Sequence, residues 1–349
     1  MSNVFSAKAP AKLIISGEHA VLYGAPAIAM AINQYVITTV NWSKQKHFNT
    51  NTPIINFNLS SFKYVKTHTI DTLLLLANKL QNNYNAFLHG SCSIKQVIKK
   101  PFELLQYSVI NLLGKLQLQL SRNLDIKVDS SIPIGSGLGS SAAVIISCLR
   151  SLAYLFRINW DPNKFLKIGT DIENLQHGRS SGIDLYMSTF GGCNYFKDVN
   201  IVEKMILPDF GFKIINTGIP NATTGECVDN VKKYFVNKQL NLINKFSSVT
   251  EAIRLALINN DKGAFLAAIR SNHNLLCSIQ VVPERIKAFI NEIELIGGAG
   301  KVCGAGSIYG DNAGVLLLIG DDIKIAKIAA AYNYKIEDIN LDFSGVTVV

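Results

Sequence analysis

The feature that most constrains this chain is the run Pro133-Ile134-Gly135-Ser136-Gly137-Leu138-Gly139-Ser140-Ser141-Ala142-Ala143. Three alternate glycines remove the Cβ from every second residue, so the backbone can turn repeatedly and curl its N–H groups around an anion. Upstream, residues 124–128 alternate apolar and polar as a strand does, and downstream, residues 142–156 repeat apolar residues at helical spacing. Strand, glycine turn and helix in that order bring unpaired helix N–H groups and the positive end of the helix dipole to the turn. Nucleotide phosphate suits such a place, and the hydroxyls of Ser140 and Ser141 add donors or a magnesium ligand. A Walker loop needs GxxxxGK[ST], and this run has no lysine; the dinucleotide fingerprint needs GxGxxG, and this run is GxGxG. Nor does Ser136 sit in a GxSxG elbow. A plain turn capping a helix would use the same glycines, but the Ser-Ser-Ala-Ala continuation argues for the phosphate reading.

At 349 residues the chain offers about two domains on a prior of ~150 residues each. With 48% hydrophobic and 17% charged residues it is neither disordered, collagen-like nor a coiled coil. The net charge of +9 admits nucleic acid, an anionic membrane surface or a small anionic substrate. Lysines and arginines are scattered without interleaved aromatics, which argues against nucleic acid. The basic cluster Lys95, Lys99 and Lys100 and the Asn-rich stretch near Asn49 read as solvated surface. Lys8, Pro10 and Lys12 interrupt any export signal at the start, and no apolar run reaches the ~18 residues of a membrane span. Six cysteines lie at least 26 residues apart, which excludes a CxxC motif and points to reduced thiols in a cytoplasmic protein.

Along the chain, residues 13–16, 27–32 and 35–40 read as paired strands around a loop holding Gly17 and Gly24. Residues 42–62 are polar and Asn-rich and read as a loop. Helical periodicity returns at 71–80 and 101–118, with Thr69 or Asp71 as plausible caps. After Gly191-Gly192-Cys193, short strands at 201–207 and 212–216 lead into a long helical region over 221–272 and a helix over 283–293. Strands at 301–303 and 314–319, a helix over 323–332 and a terminal strand complete an α+β order. The expected division is 1–195 and 196–349.

Two further groups carry chemistry. Lys12 precedes a short apolar strand that ends in Ser16-Gly17-Glu18-His19, so a cation, a carboxylate and an imidazole gather near one strand end. Taken alone, each of the three is more often a solvated surface residue. Glu173 and His177 are an i, i+4 pair on one helix face, followed by Gly178-Arg179-Ser180-Ser181-Gly182-Ile183-Asp184. A carboxylate held after such a turn can act as a base or orient a hydroxyl, although an aspartate so placed, taken alone, is more often a helix cap.

These groups, with Gly297-Gly298 and Cys303-Gly304-Ala305-Gly306, resemble the GHMP small-molecule kinases over nearly the whole chain. Gly17-Glu18-His19-Ala20-Val21 followed by Tyr23-Gly24 is most similar to the mevalonate kinases. The resemblance implies a two-lobed α+β fold, with a βαβ-type N-terminal lobe, a ferredoxin-like C-terminal lobe and the active site in the cleft between them. It implies ATP-dependent phosphorylation of the 5-hydroxyl of mevalonate, with magnesium, in the mevalonate route to isoprenoids, and it is compatible with a homodimer. Pro133, Gly135, Ser136, Gly137, Leu138, Gly139, Ser140 and Ser141 would cradle ATP phosphates, and Ser141 and Glu173 would hold magnesium. Asp184 and Lys12 would be catalytic and would touch the substrate hydroxyl, and Glu18 and His19 would line the substrate site. Phosphomevalonate or a sugar as substrate, or a non-catalytic ligand-binding role, are the alternatives. Three departures from the family pattern stand out: Ser180 where relatives carry proline, Ala11 where many carry glycine, and Ser307-Ile308-Tyr309-Gly310-Asp311-Asn312 in place of a longer glycine run.

Overall fold

The computed structural model describes residues 4–44, 52–197, 201–236 and 240–349. Its first half is built on β1 (Phe5–Ser16), β2 (Ala27–Trp42), β3 (Ile54–Leu59), β4 (Tyr64–Thr69), α1 (Ile70–Leu88), α2 (Pro101–Lys115), β5 (Leu124–Ser130), α3 (Ser140–Leu155), α4 (Pro162–His177) and α5 (Ile183–Phe190). The chain continues through β6 (Cys193–Phe196), β7 (Val202–Met205), β8 (Lys213–Asn216), α6 (Thr224–Val236), α7 (Leu240–Ile258), α8 (Lys262–Ser278) and α9 (Glu284–Leu295). It closes with β9 (Ala299–Cys303), β10 (Val315–Ile319), α10 (Asp322–Ala331), β11 (Ile336–Asp338) and β12 (Thr347–Val348).

An eight-stranded sheet runs β12-β1-β2-β5-β3-β4, with β6 paired to β2 and β7 paired to β6. Its long central strand β2 pairs with β1 along one edge and serves two partners along the other. Its 36–42 half pairs with β5, and its 27–30 half pairs with β6. The parallel pair is β3 with β5, and the chain between them passes through β4, α1 and α2, which is the βαβ crossover. β6, on which residue 195 falls, lies in this large sheet, and so does β12. The second sheet is antiparallel in the order β11-β8-β10-β9, the 4-1-3-2 arrangement of a ferredoxin-like lobe.

All five residues of β10 are buried, and the strand's period of two explains why. Val315, Leu317 and Ile319 face the core shared with the large sheet, while Leu316 and Leu318 face the core under α9 and α10. A continuous apolar strand is what a sheet covered on both faces requires. α3 covers β1 and β2 from one side, with Ala142, Ile145, Ile146 and Leu149 fully buried.

The loop expected over 42–62 is in part a strand. In β3, Ile55, Phe57 and Leu59 are buried, while Asn56 and Asn58 point outward, and Asn56 donates to Asp125 at 2.6 Å. Outward asparagines lowered the average hydrophobicity of a segment whose period-2 pattern was intact. The stretch near Asn49 lies outside the described residues. The cap of α1 is Thr69, whose hydroxyl accepts from the Thr72 N–H at 3.2 Å. The helical region over 221–272 is broken at Asn260, which takes φ +52°, and Asp261 caps α8 by accepting from the Ala264 N–H.

Phe57 carries the packing of β3 onto the large core. Phe57→Ala is expected to cost about 3–5 kcal/mol of stability, read from urea unfolding followed by circular dichroism.

Candidate active site

The glycine run sits between the two sheets. Gly135, Gly137 and Gly139 take φ of +71°, +79° and +72°, so each alternate residue occupies the region that favours glycine. Ser136 is buried, and its hydroxyl donates to the Pro133 carbonyl at 2.8 Å. Leu138 is buried and anchors the middle of the loop. Gly139 is the residue before α3, and the helix begins at Ser140 with its first N–H groups at the loop. The loop is tied to both halves of the molecule. Its Leu138 carbonyl accepts from the Lys12 N–H of β1 at 3.0 Å, and its Ser136 carbonyl accepts from the Val315 N–H of β10 at 3.3 Å.

Lys12 and Asp184 meet beneath this loop. The Lys12 ammonium lies 3.2 Å from an Asp184 carboxylate oxygen, and the lysine side chain is 5% exposed against 29% for the aspartate. A Cβ on Gly139 would stand 2.9 Å from Lys12 Cγ and 3.3 Å from Asp184 Oδ2. Asp184 occupies the first turn of α5, just after Gly182 at φ +74°, so the turn directs it and the helix start favours its charge.

Glu173 comes to the same place from α4. The Ser180 hydroxyl donates to Glu173 Oε2, whereas Oε1 is buried and has no hydrogen-bond partner among the described residues. Burial pushes the Glu173 carboxyl up to about 8, and the neighbouring Asp184 charge adds to this; the Ser180 hydroxyl and the Lys12 ammonium pull the other way. No group of three or more His, Cys, Asp or Glu residues able to hold a metal occurs among the described residues. Magnesium needs no such cage. It binds through one or two carboxylates and completes its shell with substrate phosphates and water, so the unpartnered oxygen of a carboxylate that has Asp184 and Lys12 as charged neighbours suits it, although Glu173 itself does not line the cavity beside the glycine loop.

A cavity of about 530 Å³ runs along the glycine loop. Lys12, Asp184, His177, Ser140 and Ser141 line it, together with an apolar set, Leu59, Phe62, Ile98, Leu104 and Val144, that sequence reasoning did not place. Lys99 and Lys100, read from sequence as solvated surface, are exposed but stand on the cavity wall. Thr224, Gly304 and Ala305 reach it from the second sheet's side.

Glu18 and His19 sit behind the wall. His19 takes φ +60°, and its Nε2 donates to the Ala305 carbonyl at 3.1 Å. Burial lowers the His19 imidazole to about 4, so it is neutral at pH 7 and keeps one N–H for that bond. Glu18 is ion-paired with Lys301 of β9, and both are buried; the lysine also donates to the Ile14 carbonyl at 3.3 Å. Burial raises the Glu18 carboxyl, and the Lys301 charge opposes this. Lys301 was missed. Its signal was a lysine inside the apolar strand Ala-Gly-Lys-Val-Cys, two residues before Cys303, which opens the third glycine motif, Cys303-Gly304-Ala305-Gly306.

Two outcomes are expected. Lys301→Met strands a buried carboxylate and is expected to cost about 3–5 kcal/mol in urea unfolding, with Glu18→Gln added to it recovering much of that loss. Glu173 binds its proton more tightly folded than unfolded. Its contribution to the stability of the metal-free protein is therefore lost as pH rises from about 4.5 towards about 8, while buried His19 and His273, lowered to about 4, contribute in the opposite sense. The expected outcome is that the stability of wild type relative to Glu173→Gln falls across that window in parallel melts.

Most of the chain is similar to known proteins. Residues 103–192 match the GHMP kinases N terminal domain. A mevalonate kinase from Archaeoglobus fulgidus is 30% identical over 301 residues, which are 86% of this chain and 88% of that protein. Among solved structures, the Methanococcus jannaschii mevalonate kinase matches with a TM-score of 0.77 at 22% identity, covering 98% of this chain and 99% of that one. A Lactococcus lactis galactokinase complexed with galactose matches with a TM-score of 0.75 at 15% identity, covering 99% and 95%, so the shared fold does not by itself select a substrate. Sequence, fold and the convergence of loop, lysine and carboxylates lead to one conclusion: the chain belongs to the GHMP kinases, in the branch of the mevalonate kinases.

Proposed function

We propose that this chain transfers the γ-phosphoryl group of ATP to the 5-hydroxyl of mevalonate, giving 5-phosphomevalonate and ADP. The observation that carries the reading is the Lys12–Asp184 pair closed in under the glycine loop, in a chain 30% identical to a mevalonate kinase. Phosphoryl transfer asks chiefly for positioning and charge stabilisation, and no covalent nucleophile is needed. The loop from Pro133 to Ser141, with its N–H groups and the start of α3, holds the phosphates. The apolar set Leu59, Phe62, Ile98 and Leu104 offers the base an apolar slot. Asp184 accepts the proton of the 5-hydroxyl as its oxygen bonds to the γ-phosphorus and the bond to the β–γ bridging oxygen breaks. Lys12 favours the ionised hydroxyl and stabilises the charge that develops. Glu173, through its unpartnered Oε1, and Ser141 would hold magnesium. When bound, that ion neutralises phosphate charge. Glu18 and His19 shape the substrate end, in part through Ala305.

The cytoplasm is the compartment this reading assigns. Its support is six cysteines without a disulfide and, among the described residues, no helix long and apolar enough to cross a membrane.

The test is ADP release by the purified chain with magnesium and ATP against mevalonate, phosphomevalonate, galactose and homoserine in parallel. Release with mevalonate alone is expected, with Asp184→Asn lowering turnover by roughly 10²-fold or more while the melting profile is kept. Release with another alcohol, or near-normal turnover in Asp184→Asn, would sink the assignment.

A further inference from the structure

We propose that Ser180 is a positioning residue that fixes Glu173 by one carboxylate oxygen and leaves the other turned to the metal. This rests on the reading of Glu173 as a magnesium ligand. The hydroxyl of Ser180 donates to Glu173 Oε2 and accepts from the Gly182 N–H at 2.9 Å, and the Ser180 N–H donates to the Asn174 side-chain oxygen at 2.8 Å. A serine hydroxyl has one proton, and here it is committed. Both ends of the contact are held: Asn174 lies beside Glu173 on α4, and Gly182 is the residue before α5, which carries Asp184. One hydroxyl therefore sets the carboxylate of Glu173 in register with the helix that presents Asp184.

The asymmetry at Glu173 is what points to the metal. The residue is 2% exposed, Oε2 is occupied by Ser180, and Oε1 has no partner among the described residues. A buried carboxylate oxygen left bare is costly unless something bound there satisfies it. Partners that orient a metal ligand are worth about 10- to 100-fold in metal affinity.

The experiment titrates Mn2+, as a stand-in for magnesium, into the full chain with a non-hydrolysable ATP analogue. Binding is followed by electron paramagnetic resonance in wild type, Ser180→Ala, Ser180→Thr and Glu173→Gln. Ser180→Ala is expected to weaken Mn2+ binding about tenfold and to raise the magnesium requirement in steady-state assays, while the KM for mevalonate holds. Ser180→Thr, which keeps the hydroxyl, is expected to stay within about twofold of wild type. If Glu173→Gln weakens Mn2+ binding and Ser180→Ala does not, the positioning role is overturned and the metal reading stands. If neither variant weakens it, the metal reading of Glu173 fails and takes this inference with it. A Ser180→Ala protein whose melting point drops with unchanged Mn2+ affinity also overturns the proposal, since the contact would then be structural alone.

Discussion

The cleft depends on one buried ion pair. Glu18 follows β1 and Lys301 lies in β9, so a bond between residues 283 positions apart joins the large sheet to the small one. Removing two charges from water is expensive, and the pair is tolerable because each ion neutralises the other and the lysine also finds the Ile14 carbonyl. What the pair provides is register. β1 carries Lys12 in the same strand, and β9 runs straight into Gly304 and Ala305 of the cavity wall. His19 extends the connection through the Ala305 carbonyl. Neither residue touches the cavity, yet both fix the distance between its walls.

The glycine loop uses that fixed distance. It has a hydrogen bond to each sheet, and a Cβ on Gly137 would come within 3.2 Å of the Cys303 carbonyl. Its positive-φ glycines are therefore doing two jobs: they let the backbone curl, and they let the loop pass between Lys12 on one side and the third glycine motif on the other. The replacement segment 307–312 does not break this seat. Ser307 accepts from the Ala222 N–H at 3.1 Å and donates to the Tyr309 carbonyl, so it closes on the second lobe itself.

The legible parts of the site were those whose chemistry is local in sequence. The loop from Gly135 to Ser141 shows itself by spacing, and Asp184 follows a serine-glycine turn that can be read on its face. Glu173 and His177 were placed on one helix by their i, i+4 separation, and α4 has them so. Other parts were hidden because the information lies in partners far along the chain. Nothing near Glu18 announces Lys301. The strand β3 was obscured by outward asparagines that make sense only once Asp125 is beside them, and the apolar end of the cavity is assembled from β3, α2 and α3. Ser180 looked like a plain departure from a family motif, and its hydroxyl acquires meaning only from the bare oxygen across the carboxylate.

The outer edge of β1 is covered by β12, with Ala7 opposite Val348 and Lys8 opposite Thr347, and residues 340–342 are bonded to Asn33 and Ala31 of β2. Proteins are made from the N-terminus, and early segments fold as they emerge. The strand that carries Lys12 leaves the ribosome well before β12, the strand that seals its edge. During translation the glycine loop and α3 can be in place while β1 still shows an open row of backbone groups, the kind of edge that invites pairing with another chain. Completion of the large sheet thus waits for β12, although its other strands all precede the second sheet in the chain.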